Sequence, residues 1–389
     1  MKIAIIDAEI VGQSKHRFPN LCSMKLSSYH KQNGDTVELR TEYSDLVQFD
    51  RVYISKVFTK TRVPDEVLNL PNVQYGGTGF FYDNAPPLPD EVEHVMPDYH
   101  LYDEWISVRI QEGAKPKEFT YYTDYSIGYL TRKCFRGCYY CVNRNYRKVE
   151  VASALSEFMD PTRPKLCFLD DNFFGCPKWR DLIRPVIESG KRFQFKQGLD
   201  ERLLTKDTVL EISKWRYDNE MIFAFDNIED KDLITSKLEL IRNTAPDWSR
   251  RLKFYVFCGC DKNDRYDEEF WMKDITDLFE RIWILSKYGA YPYIMRFEKA
   301  YESQYSSFYS SVAAWCNQPA QFKKSTFRSF CQVRGMQSSL AAEYGSDPKG
   351  YLLAGGKKGL PWEQMELVES KNPDAANKYF DFVGFTNRT

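Results

Sequence analysis

The sequence predicts an α/β protein: an N-terminal doubly wound parallel-sheet domain, then a partial (β/α)6 barrel, then a helical C-terminal extension. Two observations carry most of that prediction. Short apolar runs alternate with helix-period runs twice along the chain, and a Pro-rich stretch separates the two series. A third is that strand-like runs stop near residue 300, leaving helical and loop-rich sequence without repeats or low-complexity tracts. The resulting segments are 1–84, 85–120, 121–300 and 301–389.

The elements follow in order. KIAIID (2–7) is a short apolar strand ending in a carboxylate. PNLCSMKLSSYHKQNGD (19–35) spaces Leu21, Met24, Leu26 and Tyr29 at helical intervals and stops at Gly34. TVELR, DRVYISKVF and NVQYGGTGF supply three further strands. Ligands of such sheets sit at the carboxyl ends of the strands. Gly76, Gly77 and Gly79 lie at one such end, where they serve either a tight turn or the close approach of a phosphate or another domain. Residues 84–120 are rich in Pro and acidic residues, but interspersed Val, Met, Tyr and Trp make them an ordered linker.

From Tyr121 the second series begins. Its strands are SIGYLT (126–131), KLCFLDD (165–171), RFQFKQG (192–198), MIFAFDN (221–227), RLKFYVFCG (251–259) and YPYIMRF (291–297). Helical runs such as KWRDLIRPVIESG, KDTVLEISKWR, DLITSKLELIRN and DITDLFERIWILSKYG fall between them. Six strand–helix units make an incomplete barrel, whose chemistry is expected at the strand carboxyl ends.

Composition narrows the function. Apolar residues make up 43% of the 389 and aromatics 16%, enough to bury large cores and to exclude a disordered chain. A formal net charge of -1 argues against a general polyanion binder. No segment reaches the ~20 unbroken apolar residues of a membrane helix. MKIAIIDAEIVGQ runs straight into a strand, without the apolar core and cleavage site of a secretory signal. A cytoplasmic, reducing compartment is therefore expected, in which the ten cysteines are thiols or metal ligands. His16, His30, His94 and His100 are the only histidines. Beyond residue 100, His-based zinc hydrolysis and Ser–His–Asp or Cys–His catalysis are excluded unless the first domain reaches across.

Against that background, RKCFRGCYYC places Cys134, Cys138 and Cys141 within eight residues, after the first strand of the second series. Structural zinc takes four ligands, usually as two pairs, and no second pair or histidine follows at suitable spacing. Iron–sulfur ligation fits the count better. Three thiolates leave one iron of a cubane without a protein ligand, whereas electron-transfer ferredoxins use four.

This cysteine spacing resembles that of the radical S-adenosylmethionine (SAM) superfamily, and so does its place after the first strand of a six-unit partial barrel. The resemblance implies a 4Fe–4S cluster on Cys134, Cys138 and Cys141, whose open iron chelates the amino and carboxyl groups of SAM. Reductive cleavage then releases a 5′-deoxyadenosyl radical that abstracts hydrogen from substrate. Tyr140 matches the aromatic beside adenine. CFLDDNFF resembles the variant found where other members hold the SAM amino group, which implies Asp170, Asp171 and Asn172 as acceptors; a helix N-cap is the alternative.

At the third strand end, Gln197, Asp200 and Arg202 are candidates for the ribose hydroxyls and carboxylate, or they form a solvated turn. Asp226 ends the fourth strand, and Gly259 matches the segment that lets backbone approach adenine. Arg296 ends the sixth strand and needs an anionic partner: SAM, a substrate or Glu298. The remaining cysteines read as buried thiols. The family further implies an electron donor such as flavodoxin or ferredoxin, and a small-molecule, peptide or nucleotide substrate.

The order of a doubly wound domain, a Pro-rich linker and a partial barrel resembles the cobalamin-binding subclass. Its Asp-x-His-x-x-Gly signature appears here as DAEIVG, which keeps Asp7 and Gly12 but puts Glu9 at the cobalt-ligating histidine. A carboxylate is a poor ligand for soft, low-valent cobalt. Two alternatives remain: cobalamin bound without a protein ligand, supporting methyl transfer, or a domain that only shapes the substrate channel. A reading of another class, a non-catalytic iron–sulfur or nucleic-acid-binding module, rests on the basic–aromatic runs RNYRKVEV and FKKSTFRSF. In their bland form these are solvated faces with aromatics turned inward.

Overall fold

A computed structural model describes residues 1–12, 16, 18–249, 251–336, 344 and 347–385. The chain is mixed α/β with parallel sheets, and it divides into two compact units. Met1–Gln197 with Arg216–Asp218 forms one; Gly198–Trp215 with Asn219–Thr389 forms the other.

The first unit begins with a parallel sheet of β1 (Lys2–Asp7), β2 (Thr36–Leu39), β3 (Arg51–Ser55) and β4 (Val73–Gly76), in the order β2–β1–β3–β4. Ile3, Ala4, Ile5 and Ile6 of β1 are fully buried, because an inner parallel strand is covered on both faces. Helix α1 (Leu21–Gln32) starts at Asn20, whose side chain accepts the Ser23 N–H at 3.1 Å. The linker is more than a tether. Val92, Tyr99, Leu101, Trp105, Phe119 and Tyr122 join Ile3, Ile5 and Met24 in one core, with Trp105 on helix α2 (Asp103–Gln111).

A second parallel sheet in this unit runs β5 (Tyr125–Gly128), β8 (Lys165–Phe168), β9 (Arg192–Phe195). Tyr125, Ile127, Cys167 and Leu169 line one face and pack on Leu21, Phe18 and Tyr121. Phe168 and Phe195 line the other, in ring contact with each other and with Phe158 and Phe173. Trp179, the first residue of α3 (Trp179–Glu188), stacks edge-on against Phe173. Between β5 and β8, a small antiparallel pair of β6 (Thr131–Arg132) and β7 (Glu150–Val151) interrupts what the sequence predicts as one strand over 126–131.

The second unit holds the parallel sheet β10 (Met221–Ala224), β11 (Leu252–Cys258), β12 (Tyr291–Arg296). Burial alternates residue by residue along β11. Helices α4 (Lys206–Ile212), α5 (Lys231–Thr244) and α6 (Glu268–Lys287) fall where the sequence places them. Thus all six predicted barrel strands exist, in two sheets of three. Beyond residue 300 the described residues are largely helical, with Phe308, Trp315, Phe327 and Phe380 clustered around Phe279 of α6. Among the described residues no helix is long and apolar enough to cross a membrane.

Candidate functional site

Pairing of Thr131 with Val151 and of Arg132 with Glu150 closes the chain between them into a loop, and this loop carries the three cysteines. Lys133 enters it with φ of +71°, a left-handed conformation that side chains other than Gly avoid. Cys134, Cys138 and Cys141 are each half-buried. The Cys141 N–H donates to the Cys138 carbonyl at 3.0 Å, setting a turn between them. Three donors already face sulfur. Arg136 N–H lies 3.5 Å and Asn172 Nδ2 3.4 Å from Cys134 Sγ, and Asn143 N–H lies 3.4 Å from Cys141 Sγ. Burial pushes the Cys141 thiol up to about 11, and the neighbouring Cys138, Asp171 and Cys134 add to it.

Among the described residues no three His, Cys, Asp or Glu side chains are gathered as a metal-ligand set, the cysteine trio included. Its fit to a cluster is chemical. Three soft thiols share one closed loop, and N–H···S donors of the kind that surround iron–sulfur clusters are in place.

Asp170, Asp171 and Asn172 follow β8 beside this loop. Asp170 is fully buried; its Oδ1 accepts the Thr131 N–H and Oγ1–H, both at 2.7 Å, and its Oδ2 accepts the Leu130 N–H at 3.1 Å. Burial raises its carboxyl to about 7 against those donors. Asp171 Oδ2 accepts the Lys133 N–H at 2.7 Å. Asn172 does cap a helical turn, Phe173–Gly175, by accepting the Gly175 N–H at 3.1 Å. Tyr140 is half-buried, its carbonyl accepting the Tyr82 hydroxyl at 2.6 Å and its ring edge-on to Tyr139. Gln197, the last residue of the first unit before the break, is exposed.

In the second unit Arg202 is held by Asp200 at 2.8 Å and Asp230 at 3.5 Å. Asp226 Oδ1 accepts the Phe257 N–H at 2.9 Å. Gly259 has φ of +78° and donates its N–H to Asp274 at 3.0 Å; the space it leaves is taken by Ala300, only 2.6 Å from where a Cβ would stand. Arg296 donates to Ser310 Oγ at 2.5 Å and lies 4.3 Å from the Tyr301 ring centroid. Its partner is not Glu298: among the described residues no carboxylate is within ion-pair distance of it. Two residues here escape sequence reasoning. Arg281 is buried on α6 and donates to the carbonyls of Phe225, Asp226 and Phe257. Glu201 is 1% exposed, with Oε1 lacking a hydrogen-bond partner. A charged residue on the apolar stripe of Leu278, Ile282 and Leu285 is the signal that could have found Arg281.

The first sheet shows how Glu9 is engaged. Glu9 is buried, and its carboxylate accepts the Val57 N–H at 3.1 and 3.2 Å and the Phe58 N–H at 3.2 Å. GGTG is the tight-turn form: a Cβ on Gly77 would lie 2.3 Å from the Lys56 carbonyl oxygen, and one on Gly79 2.9 Å from that of Phe58. His16 Nδ1 meets the Tyr122 hydroxyl at 2.6 Å. The loops after β1, β3 and β4 are thus tied to one another, and the Glu9 carboxylate is taken up by backbone N–H groups.

Of the basic–aromatic runs, the second takes its bland form. Phe322 and Phe327 are fully buried, and Arg328 is paired with Glu369 and Asp381. In the first, Tyr146 is 37% exposed, but Arg144 pairs with Asp83 and Lys148 with Glu150. The dispersed Cys167, Cys176, Cys316 and Cys331 are buried thiols.

No family model matches the chain, and no curated protein does. Among solved structures, two forms of the cobalamin-dependent S-adenosylmethionine radical enzyme OxsB are similar, one apo and selenomethionine-labelled, the other with aqua-cobalamin bound. Each is 12% identical with a TM-score of 0.34, over 76% of this chain and 49% of the other. The chain thus spans about half the length of those structures. A likeness at that level assigns no function.

Proposed function

We propose that the protein is a radical SAM enzyme that binds a 4Fe–4S cluster through Cys134, Cys138 and Cys141. The observation that carries this reading is the closed three-cysteine loop at the carboxyl end of β5, with N–H donors aimed at Cys134 and Cys141. When bound, such a cluster and SAM supply a 5′-deoxyadenosyl radical for hydrogen abstraction. This chain's own contribution is to hold three thiolates and leave the fourth iron to SAM. The N–H groups of Arg136 and Asn143 neutralise thiolate charge in that state. Half-burial of the cysteines limits water at the loop. The engagement of Glu9 with Val57 and Phe58 favours hydrogen abstraction over cobalamin-borne methyl transfer, so no step is assigned to cobalamin.

Anaerobic reconstitution with iron and sulfide, followed by dithionite and SAM, tests the reading. Iron–sulfur absorbance and 5′-deoxyadenosine are expected from the wild type, and neither at wild-type level from Cys138→Ala. A Cys138→Ala protein that forms 5′-deoxyadenosine as well as the wild type refutes it, as does a loop that takes up zinc alone.

A further inference from the structure

We infer that Asp170, Asp171 and Asn172 are positioning residues that shape the cysteine loop before any cluster is bound, and that they are not the acceptors of SAM's amino group. That this loop is the cluster loop rests on the function proposed above; the bracing itself does not.

Three consecutive side chains at the end of β8 reach three successive points of the chain entering the loop. Asp170 takes the N–H groups of Leu130 and Thr131 and the Thr131 hydroxyl, so both of its oxygens are used. Asp171 takes the N–H of Lys133, the residue whose left-handed backbone turns the chain into the loop. Such a conformation costs on the order of 1–2 kcal/mol outside Gly, and a charge-assisted hydrogen bond to its amide is what offsets it. Asn172 donates through Nδ2 to Cys134 Sγ, while its Oδ1 holds the Gly175 N–H.

Packing completes the brace. A Cβ on Gly175 would lie 2.8 Å from Phe135 in the loop and 2.8 Å from Val149 at its exit. Only a bare backbone lets this turn seat beneath the loop. An ammonium group needs carboxylate or carbonyl oxygens with open lone pairs. Three donors take most of the acceptor capacity of the Asp170 carboxylate, Asp171 already accepts the Lys133 N–H, and one of the two lone pairs of the Asn172 carbonyl holds its own cap. What the sequence presents as a ligand triplet is engaged in holding the loop.

The test uses the full-length, metal-free protein and reads amide hydrogen exchange of peptides spanning 130–149. Asp171→Ala is expected to speed exchange there at least tenfold while peptides from β1 and β3 keep wild-type protection. Should that variant lose protection everywhere, the milder Asp171→Asn decides, with faster exchange expected at Lys133. Wild-type exchange in the deciding variant overturns the inference. Unchanged exchange combined with weakened SAM binding by equilibrium dialysis also overturns it, and returns these residues to SAM. Asn172→Asp keeps the cap on Gly175 but removes the N–H···S donor. In reconstituted protein it is expected to lower the cluster's midpoint potential, and an unmoved potential removes Asn172 from the brace. A loop that loosens as expected in a protein that never takes up iron would leave the brace standing and sink the radical SAM reading.

Discussion

Glu201→Gln is expected to remove a pH dependence of stability that the wild type carries. Glu201 sits in the helical turn Glu201–Leu203 after β9, with Oε2 3.4 Å from the Ala224 N–H and Oε1 unbonded but 4.0 Å from Arg202 Nε. Burial, reinforced by the negative charge of Asp200 and opposed by Arg202, raises its carboxyl from 4.5 to about 8. A raised value means that the folded state holds the proton more tightly than the unfolded chain does. The associated stability is therefore complete below about pH 4.5 and is lost as pH rises through about 8. That difference amounts to at most about 5 kcal/mol, of which roughly 3 are already gone at pH 7. Gln has the same shape and no charge to bury. Hydrogen exchange at the Met221–Ala224 amides, corrected for intrinsic rates, reports the opening free energy locally without assuming that both units unfold together. From about pH 5 to about pH 9 the wild-type value should fall by several kcal/mol, while that of the variant stays level. Parallel curves for the two proteins would refute the burial argument.

Two further outcomes test the packing around the sites. Glu9→Ala leaves the Val57 and Phe58 N–H groups without their acceptor, at about 1–3 kcal/mol each, so the first sheet should melt earlier by differential scanning calorimetry. Gly77→Ala adds a Cβ at 2.3 Å from the Lys56 oxygen to an unfavourable φ of +105°, whereas Gly113, at φ of +100°, has nothing within 4 Å. Gly113→Ala should therefore cost only the backbone strain of about 1–2 kcal/mol, and Gly77→Ala clearly more by urea denaturation.

Much of the fold is legible because inner strands of parallel sheets are continuous apolar runs: KIAIID and KLCF declare themselves without alternation. The pairing of Thr131–Arg132 with Glu150–Val151 is not, since two-residue strands have no period to read. Nor is the division into compact units, which falls within the predicted barrel, after β9. The linker composition suggests a tether, yet its Tyr99, Trp105, Phe119 and Tyr122 complete the core over β1 and α1. Burial of these rings, each worth a few kcal/mol, outweighs the extending tendency of the prolines. The cysteine loop itself is plain in the sequence, because three of the ten cysteines fall within eight residues.

The polar residues at strand ends were harder, and the reason is general. Where a parallel strand stops, its last N–H and C=O groups and those of the following loop lose their ladder partners, and an Asp or Asn placed there satisfies them locally. The same residue types at the same positions also serve ligands. Sequence alone cannot divide the two roles, because the division depends on which lone pairs are already taken. Here Asp170 is occupied by Leu130 and Thr131, Asp226 accepts the N–H of Phe257, and Gly259 gives its space to Ala300. Glu9 shows the same substitution at the first sheet, a carboxylate bonded to backbone where the resembling subclass carries a metal ligand. By contrast, Arg296 of the second unit meets a hydroxyl and a ring but, among the described residues, no carboxylate, and Gln197 of the first is exposed.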